Sequence, residues 1–593
     1  MNIIPNRLRT LRAAMAAKSI DAIIIPSSDP HQSEYVANHW QERSWISGFT
    51  GSAGLVVVTA DEAGLWTDSR YFLQGEQELA GTTVQLHKMI NQFGTPYIDF
   101  IVDSLGRGST VAINPWMFAK AQVNDLQKSL GRKGIILNTD FDLISEVWTD
   151  RPALSQDPIF IHDVKYTGMS AGDKLDEVSS QMKAKGADFH LVTALDDIAW
   201  VFNIRGSDVD YNPVAIAYGL IGKGIATLFI NEAKITAQVR QNLNDNNIEL
   251  IPYEDIVKVL NEMSEQSTIL VDETICNDKL YNAINAKIIH GTSIPKLLKG
   301  IKSTVEIAHV KEAMKKDGAA IAHTFYNLEL WLKNGISTNE CKVAEELAHN
   351  RSQQADYFGE SFGAIIGYKG NGAIIHYHPM PDTCKTLSND GILLIDSGGQ
   401  YSDGTTDITR TLTLGNTSQK QKKCYTLILK GMLELTMAKF PVGTSGAQLD
   451  TLARHYLWNN GLNYGHGTGH GVGFFLNVHE PPQGFAPFSS ERGRTIQEPG
   501  MLSSNEPGYY LEGEFGMRIE NLIVTNKSSF EGFLEFETVT LYPFEHALIE
   551  LTLLSLAEID WINTYHKECL DKISPFIKSA EVKEWFVGKC RTI

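Results

Sequence analysis

Near the start of the chain the apolar positions Leu8, Leu11 and Met15 share one helical face, with polar residues between them. The β-branched run Asp21 to Ile25 follows and stops at Pro26, so the pattern predicts a helix that feeds a buried strand. A related order recurs later. A Lys-rich helical stretch ends at Lys185-Gly186-Ala187-Asp188 and leads into the apolar run Phe189 to Thr193, an Asp-bearing loop, an aromatic-rich helix and a Gly turn at Gly206. The segments Lys18 to Val58 and Lys185 to Leu220 read as two copies of one α/β unit.

Between the copies, Arg151-Pro152 through Asp157-Pro158 forms a Pro-punctuated linker. After the second copy come Ser293-Ile294-Pro295 and then Ser303-Thr304-Val305-Glu306, a capping box that opens a long helix. At roughly 100 to 200 residues per domain the length argues for several cores. Boundaries are expected near 155 and 302, giving domains 1–155, 156–302 and 303–593. The last alternates helices with strands such as Ile392 to Ile395, Thr409 to Leu414 and Ile519 to Val524. A second capping box, Ser555-Leu556-Ala557-Glu558, starts a C-terminal helical extension with Ile559, Ile562, Cys569 and Ile573 near one face, a pattern of packing or subunit contact rather than chemistry.

Composition narrows the classes. The chain carries 52 Lys and Arg against 70 Asp and Glu, a net charge of -18, so its average surface repels phosphate backbones and anionic membranes. No nucleic-acid or membrane partner is expected. Hydrophobic residues make up 43%, as in an ordinary globular protein that buries sizeable cores. The six cysteines include no CxxC pair and are too sparse for a disulfide scaffold. No signal-peptide core or membrane-length apolar run is present, and a cytoplasmic protein is the expectation.

The chemistry gathers in the last half of the chain. Asp396 ends the apolar run Gly391 to Ile395, which sets a carboxylate at the mouth of a buried strand. Asp407 follows Asp403-Gly404, a turn that lets the chain reverse and bring the second carboxylate onto an adjacent strand. Two imidazoles, His466 and His470, lie in the glycine-rich stretch Tyr464 to Gly473, whose backbone can approach a ligand closely. Glu506 precedes Pro507 in extended conformation, and Glu520 stands inside an apolar alternating strand. Singly, each has an ordinary reading: a turn cap, a structural histidine, a solvent-facing strand glutamate. Together, Asp, Asp, His, Glu and Glu are almost all oxygen, a set suited to two Mn²⁺-like cations sharing carboxylates rather than to sulfur-held zinc. Two such ions can activate a water and stabilise a tetrahedral oxyanion, so hydrolysis is the expected reaction class. His376, His466 and His479 are further histidines able to donate hydrogen bonds or shuttle a proton.

These residues resemble the Xaa-Pro aminopeptidases (aminopeptidase P) of the three-domain cytosolic type, within the pita-bread metallopeptidases. The resemblance covers nearly the whole chain. It includes Asp29-Pro30-His31-Gln32-Ser33-Glu34-Tyr35, Trp66-Thr67-Asp68-Ser69-Arg70-Tyr71-Phe72, Asp196-Asp197-Ile198-Ala199-Trp200 and Asn203-Ile204-Arg205-Gly206-Ser207-Asp208-Val209. It implies an α/β and α+β fold, with two similar N-terminal creatinase-like α/β domains followed by a pita-bread catalytic domain. It implies two divalent cations per chain, Mn²⁺ foremost, with Asp396 on one, Asp407 and Glu520 bridging, and His470 and Glu506 on the other. Glu506 would also be the general base; His376, His466 and His479 would serve catalysis, and Arg70, His376, His470 and His479 would face the substrate. The implied substrates are peptides with proline second, and the implied assembly is a homodimer.

An X-Pro bond has a tertiary nitrogen with no N–H and a ring that fixes φ, so enzymes that grip that donor fail on it. Two departures from the family pattern stand out: Asn505 where Asp is expected before Glu506, and His378 where a small residue is usual. Either could alter metal affinity or subsite preference. A prolidase would share the metal site, but roughly 300 residues precede the catalytic domain here, the length of the three-domain aminopeptidases. Retention of all five ligands argues against metal-free creatinase chemistry and against a non-catalytic binding protein.

Overall fold

The computed structural model describes residues 3–90 and 94–593 and divides into two compact units: residues 1–164 with 169–297, and 165–168 with 298–593. The first unit holds two six-stranded sheets. One runs in the order Gln85–Met89, Ala63–Asp68, Leu55–Thr59, Ala22–Pro26, Thr110–Ala112, Ile136–Asn138; the other in the order Ile248–Ile251, Ala226–Ile230, Ala217–Ile221, Phe189–Val192, Thr268–Val271, Lys287–His290. Position by position the pairing sense is the same: parallel, antiparallel, antiparallel, parallel, parallel. The weak internal similarity in sequence is therefore a repeated topology.

The opening helix spans Ile4–Ala17 and buries Ile4, Leu8, Leu11 and Met15, the expected face. In the second copy one detail differs from expectation. Asp196 and Asp197 lie in the first turn of the helix Leu195–Val201 rather than in a loop, where acids favour the positive end of the helix dipole.

The second unit is built on the helix Thr304–Lys333. Its capping box forms as expected: Ser303 Oγ accepts from Glu306 N (3.2 Å) and Glu306 Oε2 accepts from Ser303 N (2.8 Å). An antiparallel sheet of Ile365–Tyr368, Ile392–Ser397 and Ile408–Thr413 and a six-stranded sheet ordered Lys439–Pro441, Phe533–Thr538, Asn521–Lys527, Leu502–Asn505, Gly469–Gly471, Glu480–Phe485 supply the strands around the candidate site. The central strand Ile392–Ser397 is buried at all six positions. The main core joins that sheet to the long helix, to Gln419–Thr436 and to the C-terminal helices Leu556–Ile573 and Ala580–Lys589.

Two buried arginines brace the region. Arg351, 0% exposed, donates to Asp317 (2.8 Å), Glu360 (2.7 Å) and the Ser397 hydroxyl (3.0 Å), and so backs the residue after Asp396. Arg410 donates to the Glu520 carbonyl (2.6 Å), to the Tyr542 carbonyl (2.6 Å) and to Tyr565 Oη (3.1 Å), which ties the C-terminal helix to the strand behind Glu520. The C-terminal extension thus buttresses the site through packing and these hydrogen bonds. No helix among the described residues is long and apolar enough to cross a membrane.

Removing one partner of a buried ion pair leaves an uncompensated charge, which costs about 3–5 kcal/mol. Arg351→Met is therefore expected to lower unfolding stability by about that amount. Denaturant melts of the variant and wild type check it.

Candidate metal centre

Backbone geometry brings the five proposed ligands to one place. Ile365 pairs with Asp396, which pairs with Thr409, so Asp396 sits near the end of the central strand with a neighbour on each side. The chain then runs through Gly399–Tyr401, reverses at Ser402-Asp403, and returns through Gly404–Thr405 to Asp407, just before the strand Ile408–Thr413. Gly404 takes φ +151°, beyond ordinary L-residue backbone, which explains the glycine after the turn.

His470 lies in the strand Gly469–Gly471 between two glycines that no other residue could replace. A Cβ on Gly469 would come within 1.9 Å of the Ser504 carbonyl oxygen, and one on Gly471 within 2.3 Å of that of Glu480. The His470 Nδ1–H donates to the Gly471 carbonyl (3.0 Å). That contact fixes the tautomer and turns the Nε2 lone pair towards Asp407 Oδ2 (3.5 Å) and Glu506 Oε1 (3.4 Å). Glu506 follows the strand Leu502–Asn505, its N–H held by the Thr468 carbonyl (2.7 Å). Glu520 is not inside a strand, as expected, but in the joint between Phe515–Arg518 and Asn521–Lys527. There its N–H donates to the Thr409 carbonyl (3.2 Å) and its Oε2 accepts from Thr409 Oγ1 (2.8 Å). It is buried, not solvent-facing.

Asp407, His470 and Glu520 each offer a ligand atom, all within 4.8 Å of one another. Among the described residues, Asp396 Oδ1 and Glu520 Oε1 are buried oxygens with no hydrogen-bond partner. Burial, and then the other carboxylates, push the Asp407 and Glu520 carboxyls well above the usual range. Burial and Asp396 raise Glu506 to about 7. Buried acids in mutual repulsion, with orphaned oxygens and one imidazole lone pair facing them, are the donor set a divalent cation pair satisfies.

Arg518 has a part in the centre that sequence patterning alone did not assign. It is 2% exposed, and its guanidinium donates to Asp396 Oδ2 (2.5 Å), Tyr510 Oη (2.6 Å) and Thr409 Oγ1 (3.2 Å), with Glu506 Oε2 at 4.0 Å. Its partner Asp396 lies 122 positions away, so no local pattern in the sequence marks it. Tyr510 Oη in turn lies 2.8 Å from His466 Nε2, while His466 Nδ1–H donates to the Gly467 carbonyl (2.7 Å). His466 is therefore linked to the centre through Tyr510 and Arg518 and lies outside the ligand set. The His479 ring stands edge-on to His470, centroids 4.3 Å apart. His376 is half-buried in the turn after Lys369–Ala373, and the carbonyl beside it, Ile375, is 3.5 Å from an Arg518 nitrogen. Arg70 belongs to the N-terminal unit, where Asp68 holds it bidentately (2.8 and 2.7 Å).

Asn505 is buried, and its amide donates to the Met432 carbonyl (2.9 Å) and Thr436 Oγ1 (3.0 Å). It braces a helix end, and a carboxylate could not donate there. His378 is exposed.

Comparison with known proteins gives the chain's family. Residues 308–527 match the model of metallopeptidase family M24, residues 532–593 that of the C-terminal region of the same peptidases, and residues 7–142 and 150–306 two models of the creatinase/prolidase N-terminal domain. Aminopeptidase P2 of Arabidopsis thaliana is 36% identical over 100% of this chain and 89% of its own length. Xaa-Pro aminopeptidase 1 of Dictyostelium discoideum is 38% identical over 97% and 94%. The chain belongs to the aminopeptidase P family of M24 metallopeptidases. The crystal structure of X-prolyl aminopeptidase from Caenorhabditis elegans, described as a cytosolic enzyme with a di-nuclear active site, covers 100% of both chains at 32% identity with a TM-score of 0.94. The fold is accordingly the creatinase-like and pita-bread architecture that the sequence motifs implied. The family's di-nuclear site fits the residues present here.

The raised carboxyls have a measurable consequence without metal. Above the ordinary carboxylate pKa of about 4 the folded state holds more protons than the unfolded chain, so metal-free stability falls as pH rises. Melting midpoints in chelator should drop between pH 5 and pH 8, Asp407→Asn should flatten that drop, and added Mn²⁺ should reverse it in the wild type only. Differential scanning calorimetry at the two pH values reads all three.

Proposed function

We propose that this chain hydrolyses the first peptide bond of peptides with proline second, as an Xaa-Pro aminopeptidase that uses two divalent cations, Mn²⁺ foremost. The observation that carries the reading is the set Asp396, Asp407, His470, Glu506 and Glu520, buried apart from half-buried Glu506, with its two orphaned carboxylate oxygens. On the family pattern Asp396 would hold one cation, Asp407 and Glu520 would be shared by both, and His470 and Glu506 would hold the other. When bound, the pair supplies the charge that acidifies a water and stabilises the oxyanion of a tetrahedral adduct.

The chain's own groups do the rest. Glu506 alone of the four carboxylates has a second role, in which it takes the proton of the attacking water and delivers it to the prolyl nitrogen, which must be protonated to leave. Arg518 holds Asp396 in place through its guanidinium, and Tyr510 links that guanidinium to His466. His479, edge-on to His470, and His376 provide imidazole N–H groups towards the substrate carbonyls, with His466 behind them. Arg70 is assigned to the substrate side, and a homodimer is assigned, on the family pattern alone; the division into domains at 155 and 302 rests on the Pro-punctuated linker and the Ser303 capping box, and a cytoplasmic location on composition together with the family pattern.

Initial rates on Arg-Pro-Pro, Arg-Ala-Ala and Arg-Pro, with protein stripped by chelator and reloaded with Mn²⁺, test the reading. Release of Arg from Arg-Pro-Pro alone is expected, metal-dependent and lowered at least about 10²-fold by Glu506→Gln, the usual size of a lost general base. Preference for Arg-Pro would make the chain a prolidase, and absence of metal-dependent turnover on all three would refute a peptidase.

A further inference from the structure

Glu340, the first residue of the helix Glu340–Ser352, is a carboxylate outside the metal centre and 0% exposed. A buried carboxylate is tolerated only where donors converge on it, and five hydrogen bonds do so. Oε1 accepts from Tyr368 N (2.7 Å) and Asn371 Nδ2 (3.1 Å); Oε2 accepts from Lys385 N (2.7 Å), Tyr377 Oη (2.9 Å) and Asn371 Nδ2 (3.0 Å).

The donors are not scattered. Tyr368 ends a strand, Asn371 lies in the turn Lys369–Ala373, and Tyr377 and Lys385 belong to a stretch from 374 to 385 without helix or strand. The far end is tied again where Glu340 N donates to the Lys385 carbonyl (3.2 Å) and Asn339 bridges Thr386. One carboxylate therefore grips the beginning, the middle and the end of the excursion that carries His376. The middle grip falls on the residue next to His376: the Tyr377 ring is buried with its hydroxyl aimed at Glu340. The residues that follow His376, on both sides of Pro379 and Pro381, are mostly exposed, so the buried Tyr377 ring is the nearest fixed point of the chain after it.

We propose that Glu340 is a positioning residue for His376, acting through the Tyr377 hydroxyl. The proposal rests on the reading of His376 as a group that faces the substrate. Errors of about 1 Å in such a group can cost about 10²-fold in rate, and loss of one anchor among five should cost less.

A double-mutant cycle distinguishes positioning from general support of the fold. Turnover of Arg-Pro-Pro, bound Mn²⁺ and melting midpoint are measured for wild type, Tyr377→Phe, His376→Ala and the double variant. Tyr377→Phe is expected to lower kcat about tenfold in the wild-type background, less than twofold in the His376→Ala background, with Mn²⁺ content unchanged. Glu340→Gln should give the same pattern with a larger loss; if that variant fails to fold, Tyr377→Phe still decides. An equal loss in both backgrounds, or none in either, would overturn positioning while leaving the role of His376 intact. A His376→Ala variant with wild-type turnover would overturn both.

Discussion

Four carboxylates, three of them buried and Glu506 half-buried, are held against one another in the C-terminal unit, and the surrounding structure answers that one constraint. Two like charges 4 Å apart repel by about 4 kcal/mol at an effective dielectric of 20. Only one guanidinium, that of Arg518, is bonded into the cluster among the described residues, and it touches Asp396 alone of the acids at hydrogen-bond distance. Burial and the neighbouring acids push the Asp407 and Glu520 carboxyls well up, and a pair of divalent cations would relieve the same repulsion.

The scaffold meets the demand with strands and the residues at their ends. Asp396 lies in the central strand, Asp407 just before the neighbouring strand after a tight reversal, His470 in a strand flanked by glycines pressed against two carbonyls, and Glu506 and Glu520 just beyond the ends of strands in the second sheet. Buried arginines then pin the carriers: Arg351 behind Ser397, Arg410 behind Glu520. Histidines outside the ligand set occupy the softer positions, in turns whose placement depends on side-chain contacts such as that of Tyr377 with Glu340. Strands and their ends for the ligands, and anchored turns for the remaining histidines, is a division that lets one metal site serve a specific substrate shape.

Much of this was legible in the chain. The capping boxes at Ser303 and Ser555, the buried strand before Asp396, the reversal before Asp407 and the repeated α/β unit are local patterns, and local patterns survive into structure because the same few residues both encode and form them. What escaped was non-local. Arg518 meets Asp396 across 122 positions, and Glu340 meets Tyr377 and Lys385 across 37 and 45; no periodicity records such pairs. The assignment of Glu520 to a strand interior failed for a related reason. Alternation of apolar residues continues through Ile519, while the backbone breaks pairing there to let Glu520 N–H reach the Thr409 carbonyl.

A cluster built for two cations should hold two cations, and they can be counted. Protein stripped by chelator, dialysed against Mn²⁺ and assayed by elemental analysis alongside titration calorimetry should hold two ions per chain, and Asp407→Asn, lacking a bridging carboxylate, should hold fewer. A single site or none in the wild type, or an undiminished count in Asp407→Asn, would mean that these carboxylates are not a shared two-ion cradle.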